Sequence, residues 1–320
     1  MRRFGKNRNG SQRFRCDVCA KCFTDATTRP VDKRKLDADK AVMVLRMILE
    51  GNSVRSIERL TEVHRDTILD LMVEAGERCE SFLNRTIRNM PTANVEGDEI
   101  WGFCHCKQKT ADRKGYSDEV GDVWTFVGID RDTKLVLAFH VGKRSQADTV
   151  NFSLKLKTAT TGHFQLSTDG FPSYRAVLPV VFGPSIDYAQ LVKEYTNSNE
   201  EGTAARYSPG KVIRTHKVVL LGNPNDAMVC TSHVERSNLS MRTSIRRMTR
   251  LTLAHSKKWR NHEAAIALWF AYYNYCRVHT TLTEAAREED RPANKTTPAM
   301  AAGLAEKPWN VSDLLNAIAV

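Results

Sequence analysis

The sequence predicts an α/β fold behind a short helical region, and three observations carry that prediction. Between residues 36 and 91 apolar residues recur at helical spacing. Beyond Pro91 the pattern changes to strands, which then alternate with helices. Ahead of both stands a cysteine knuckle, C-x2-C, within RFRCDVCAKCFTD. The chain has 320 residues, 41% hydrophobic and 27% charged, enough for two or three domains. Its formal net charge is +11, which points to a polyanionic partner, most often nucleic acid. No apolar run is long enough to span a membrane, and the basic N-terminus has no apolar core of a secretory signal. The eight cysteines are too few for a disulfide scaffold in a chain of this size, which favours a reducing, cytoplasmic setting.

The first fifteen residues are polar and basic, a flexible arm in isolation. Cys16 and Cys19 then offer half of a tetrahedral zinc site, with Cys22 as a candidate third ligand. A full ribbon needs a second knuckle, and none precedes Cys16. Residues 1–30 are therefore read as a basic arm with a partial zinc ribbon whose fourth ligand, if Zn²⁺ binds, is remote or from another chain. The stretch LDADKAVMVLRMILE places apolar groups at 42, 44, 45, 48 and 49, one amphipathic helix stopped by Gly51-Asn52. Two short helices follow, with a tight turn near Glu62 to His64. Val54, Ile57, Leu60, Val63, Ile68 and Leu71 fit the inner face of a helix-turn-helix, giving a DNA-binding domain over 31–91. Arg65 and Thr67 would stand at the exposed start of its second helix, where such motifs meet base edges. A plain helical bundle fits the same pattern.

Three strand-like runs come next: NVEGDEIWGFCHC, GDVWTFVGID and LVLAFHVGKR, the last two joined as a hairpin through Asp130 to Lys134. A helix follows with Ser145 as a candidate N-cap, then a strand ending at Asp169-Gly170, then a helix with Pro172 in its first turn. Residues 189–230 add strand-like pieces and a Gly-, Ser- and Asn-rich loop. Thr231 to Arg250 reads as a basic helix with one acid, Glu235, set among Arg236, Arg242, Arg246, Arg247 and Arg250. Helical spacing turns Glu235, Arg242 and Arg246 the same way; a salt-bridged surface helix is the plainer alternative. HEAAIALWFAYYNYC is an apolar core helix. The α/β domain is placed at 92–285, with an insertion near 189–230 and a tail at 286–320.

Asp98 lies inside a strand, Asp169 at a strand end, and Glu235 on a helix that packs on the sheet. Acids in such places are positioned to converge, and converging acids raise one another's pKa unless cations join them. Hard oxygen ligands suit two Mg²⁺ or Mn²⁺ ions, the arrangement that cleaves phosphodiesters. Glu99, Asp122, Asp130, Asp132, Asp187 and Asp226 compete as turn caps or ion-pair partners.

The order DEIW, STDG, SHVERSNLSMR and YYNYCRVHTTL, behind a half knuckle and a helix-turn-helix, resembles the DDE transposases of bacterial insertion sequences. The similarity is greatest to the group founded by insertion sequence one, and runs from about Phe4 to Leu315. It implies an RNase H-like mixed sheet flanked by helices. It also implies that Asp98, Asp169 and Glu235 hold the metal pair, with His233, Asn274 and His279 near the site; packing or capping is the alternative for Asn274 and His279. This sequence departs from the family in lacking the first cysteine pair, and in a longer interval between Asp169 and Glu235. The expectation is a cytoplasmic, nucleoid-associated transposase. It would bind double-stranded DNA at terminal inverted repeats and in the target, cleave it and transfer the 3′-OH. Arg242, Arg246, Arg247, Arg250, Lys257 and Lys258 would hold phosphates. Joining two ends implies a homodimer or larger assembly. A DNA-binding repressor derived from such an enzyme and a structure-specific nuclease are the rivals.

Overall fold

A computed structural model describes residues 1–6, 12–24, 36–195, 212–249, 252–288 and 295–319. The loop 196–210, part of the basic arm and Arg250 lie outside the described residues. The chain divides into two compact units, one of Asn84–Ser240 and one of Met1–Leu83 with Met241–Val320.

In the unit built from the two ends, β1 (Arg2–Lys6), β2 (Gln12–Arg15) and β3 (Cys22–Thr24) form an antiparallel sheet. The knuckle is the turn between β2 and β3, closed by Ala20 N–H donating to Cys16 C=O at 3.0 Å. Helix α1 (Ala38–Leu49) starts where the Asp37 carboxylate accepts the amides of Asp39 and Lys40. Its buried face is Ala41, Val44, Leu45 and Leu49. Helix α2 (Val54–Thr61) is capped by Ser53 and ends on Glu62 at φ +59°. Helix α3 (Arg65–Thr86) begins with its Arg65 amide on the Glu58 carboxylate at 2.9 Å. The turn falls where the sequence places it, but two details differ. The second helix is long, because its buried positions continue through Cys79, Phe82 and Leu83. Leu60, expected inside, is 63% exposed, since Ile57 and Thr61, one turn apart, take the inner face of α2.

The other unit is a six-stranded mixed sheet flanked by helices. After the short β4 (Met90–Pro91) come β5 (Asn94–Cys104), α4 (Gln108–Lys114), β6 (Gly121–Asp130), β7 (Val136–Gly142) and α5 (Gln146–Ala159). Then follow the short β8 (Thr160–Thr161), β9 (Phe164–Asp169), α6 (Pro172–Phe182), β10 (Ile186–Tyr195), β11 (Val212–Leu221) and α7 (Ser232–Ser244). The sheet order is β11-β10-β9-β5-β6-β7. The β5-β6-β7 meander is antiparallel, β9 and β10 run parallel to β5, and β11 returns antiparallel. A mixed sheet flanked by helices is what the sequence led one to expect. Helices α5 and α6 cover one face, where Phe126, Phe152 and Tyr174 meet ring to ring. The opposite face carries Glu96 and Asp98 and receives α7.

The end of α7 departs from the expected helix over Thr231 to Arg250. It stops at Ser244, Ile245 turns extended, and Arg246–Met248 forms a 3₁₀ turn. Burial of Ile245 and Met248 accounts for the break. Arg246 is thus outside the helix and does not share a helical face with Glu235.

Beyond it lie α8 (Trp259–Tyr275), α9 (Thr280–Glu288), α10 (Pro298–Ala301) and α11 (Val311–Ala317). Helix α8 is apolar nearly all round, so it must be covered on every side. Its neighbours include α3: a Cβ on Gly76 would lie 2.1 Å from the Ala264 carbonyl oxygen, so only glycine permits the approach. This packing places α8 in the unit of the N-terminal helices, unlike the 92–285 boundary read from sequence. Among the described residues no helix is long and apolar enough to cross a membrane.

Candidate active site

Strand β9 ends on Asp169 because its Oδ1 accepts the Phe171 amide at 3.0 Å, a local turn that stops the ladder before Gly170. Strand β5 pairs with β9 up to Gly97↔Thr168, which puts Asp98 beside Asp169 on the neighbouring strand. Past that point β5 has no strand partner on the β9 side among the described residues. Carboxylate oxygens of Asp98, Glu99 and Asp169 all lie within 4.8 Å of one another.

Glu235 arrives in the first turn of α7. Its Oε1 accepts from the Thr231 hydroxyl at 2.8 Å and from Lys193 Nζ at 2.5 Å. Its charge acts on both Asp98 and Asp169, although its oxygens stand outside the 4.8 Å set. Two contacts fix α7 on β5. Glu96, 1% exposed, takes the His233 and Val234 amides on Oε2 at 2.8 and 3.1 Å and His233 Nδ1 on Oε1 at 2.6 Å. Asn238 Nδ2 donates to Asp98 Oδ2 at 2.8 Å. Residues 96 and 98 share a strand face, and 234 and 238 are one helical turn apart, so two periodicities meet at one interface.

Glu96, Cys230 and His233 also bring ligand atoms within 4.8 Å. Both Glu96 oxygens already accept hydrogen bonds, two from backbone amides that open α7 and one from the His233 ring. The group is a helix clamp.

The acidic cluster is electrostatically uncomfortable by itself. Burial, then the charge of Asp169, pushes Asp98 up to about 7. Burial and Asp169 push Glu99 up to about 8, and burial raises Asp169. Arg144 offsets part of this. It reaches Glu99 Oε1 at 2.6 Å, and its guanidinium lies 4.6 Å from the Trp124 ring centroid and 4.3 Å from that of Phe171. Hard oxygens gathered under mutual repulsion are the donor set that Mg²⁺ or Mn²⁺ fits.

The other predicted residues are dispersed. His233 orients on Glu96 through Nδ1. Asn274 is fully buried in α8, and His279 heads α9, its ring edge-on to Tyr273 at 4.7 Å and its carbonyl accepting from Thr283. Both belong to the unit of the two chain ends, and these surroundings are packing and capping ones. Arg236, Arg246, Lys257 and Lys258 are exposed or half-buried at the surface, as is Arg65, with Thr67 half-buried beside it. Arg242 donates to the Met248 carbonyl, while Arg247 bonds the Asn261 carbonyl at 2.8 Å and Met72 Sδ at 3.2 Å. Arg247 is thus engaged inside its own unit. Cys16, Cys19 and Cys22 are not a set closing within 4.8 Å among the described residues; hydrogen bonds from Cys19 and Val18 draw the Cys16 thiol down.

The sequence does not single out Glu96, Lys193, Arg144 or Asn238, and it offers Glu99 only as a competitor. Glu96-x-Asp98 is legible as a same-face pair, and Asn238 as a position about one turn beyond Glu235; their partners are not.

No protein-family model matches the chain, and no curated protein does. Among solved structures it is similar to a piggyBac transposase synaptic complex with hairpin DNA, at 10% identity and a TM-score of 0.37, over 89% of this chain and 71% of that one. It is also similar to the Mos1 strand transfer complex, at 16% identity and a TM-score of 0.20, over 48% of this chain and 58% of that one, less than two thirds of its length. Overlaps of this quality carry no argument about fold or activity.

Proposed function

We propose that this protein is a DDE transposase of the kind found in bacterial insertion sequences, cleaving DNA at the element's ends and transferring the resulting 3′-OH to target DNA. The observation that supports it best is the gathering of Asp98 and Asp169, from adjacent strands, under a helix that brings Glu235. Asp98, Asp169 and Glu235 would hold the metal pair, with Glu99 beside them. When bound, Mg²⁺ or Mn²⁺ supplies activation of a water or hydroxyl and charge stabilisation at the leaving oxygen. The chain's own residues do the rest. Glu96 and Asn238 hold α7 in register with β5. Arg144 tempers the repulsion at Glu99. Arg236, Arg242, Arg246, Arg250, Lys257 and Lys258 supply positive charge for phosphates. Helices α2 and α3 act as a helix-turn-helix on the terminal inverted repeats, with Arg65 and Thr67 toward the bases. Zn²⁺ at the Cys16–Cys19 knuckle with a ligand from elsewhere, a homodimer holding two ends, and a cytoplasmic setting complete the reading.

The test is a strand-joining assay with the element's own ends, Mg²⁺ and a target duplex, run on wild type and Asp98→Ala. Transposase activity predicts metal-dependent joined product from wild type, and binding without cleavage from the variant. Cleavage without joining would make the chain a nuclease. Binding without either in wild type would make it a repressor.

A further inference from the structure

Strand β10 runs beside β9 with Leu191 opposite Asp169. Two residues on, past the end of β9, Lys193 projects from the same face of the sheet as Leu191. Its ammonium sits 2.5 Å from Glu235 Oε1, with the side chain 29% exposed. Its charge also reaches Asp169, opposing the rise that burial causes there. A cation of the protein therefore stands on the one acid of the three whose oxygens are outside the tight cluster. It meets Glu235 through a point charge on a four-carbon stem, not through the rigid fork of an arginine. Such a contact is strong enough to be formed and weak enough to be exchanged, since ion pairs this open are only weakly held. A divalent ion on Glu235 and an ammonium at hydrogen-bond distance from the same oxygen would repel each other.

We propose that Lys193 is a built-in counter-cation that a divalent ion displaces from Glu235, and that the displaced ammonium then takes a phosphate oxygen of the DNA strand. The second half rests on the DNA-processing reading above; the first does not. Metal entry and DNA engagement are thereby coupled through one side chain. Without metal, Lys193 satisfies Glu235. With metal, its charge becomes available beside the acids, where a backbone phosphate must lie for cleavage.

The experiment has two arms. Mn²⁺ binding without DNA is followed by the loss of the free-ion electron paramagnetic resonance signal, for wild type, Lys193→Met and Lys193→Arg. Removing the competitor is expected to tighten Mn²⁺ about fivefold in Lys193→Met, and Lys193→Arg, whose charge stays and whose fork holds the carboxylate more firmly, is expected to bind Mn²⁺ no tighter than wild type. Unchanged or weaker Mn²⁺ binding by a folded Lys193→Met would overturn the displacement and leave Lys193 as a strut for α7. In the second arm, binding of a short DNA duplex is measured against salt, with and without Ca²⁺. With Ca²⁺ the slope for Lys193→Met should be shallower than wild type by about 0.9, one phosphate contact, and without Ca²⁺ the two slopes should agree. Equal slopes in both conditions would overturn the phosphate contact. If no form binds DNA while the Mn²⁺ arm holds, the DNA reading has failed and the displacement stands.

Discussion

Replacing Asp98 with Asn removes a partly buried carboxyl while keeping an oxygen for the Asn238 amide to bond. In the folded protein Asp98 is raised from the usual 3.8 to about 7, first by burial and then by Asp169. A carboxyl raised on folding binds more protons in the native than in the unfolded state. Its stabilising contribution is therefore full below about pH 4 and lost as pH rises through 7. The whole displacement corresponds to about 4 kcal/mol. Asp98 is only partly buried, and Asp169 and Glu235 share the repulsion, so about 2 kcal/mol is the working expectation. Without metal, Asp98→Asn should match wild type near pH 4 and exceed it near pH 8 by that amount, roughly 6 °C in Tm for a unit of this size. Saturating Mn²⁺ should reverse the order: at a hundred times Kd the ion adds about 2.7 kcal/mol to wild type and far less to the variant. Because two units need not unfold together, calorimetry is paired with hydrogen exchange of peptides from β5 and β6. A wild type equally stable at both pH values without metal, or a variant weakened at pH 8, would refute the electrostatic account of the site.

Glu96→Ala strips α7 of acceptors for two amides and an imidazole and should weaken Mn²⁺ binding by at least about tenfold through misplacement of Glu235, with Glu96→Gln recovering part of it; equal affinities in all three proteins, measured by titration, would deny the clamp its role. Gly76→Ala places a methyl against the Ala264 backbone and should destabilise the helical unit by about 3 kcal/mol or more, seen as lost exchange protection in α3 and α8 with β5 unaffected. Arg65→Ala should weaken binding of the duplex that carries the element's end by about 1–3 kcal/mol and relax its sequence preference, with the salt slope little changed; a slope shallower by about 0.9 with sequence preference intact would put Arg65 on a phosphate and not at a base edge.

Local chemistry alone determined much of this protein. The 3.6-residue and two-residue periodicities, the Ser145 cap, Pro172 in the first turn of α6 and the turn at Glu62 are short-range signals, so much of the order of helices and strands was readable, though not α4 or the strands β1 and β2, which fall in stretches read as loop or flexible arm. So was the candidacy of Asp98, Asp169 and Glu235, since each stands where an element presents it. What only tertiary structure decided was pairing. The register Gly97↔Thr168, which sets Asp98 beside Asp169, is a bond between strands distant in sequence, and no local pattern encodes it. Strand alternation argues against grouping Glu99 with Asp98, yet past the end of the β5–β9 ladder their oxygens meet within 4.8 Å. The placement of α8 with α3 turned on one missing Cβ at Gly76. Arg247 read as a surface cation and proved an internal donor, because a guanidinium's partners depend on which backbone folds back within its reach.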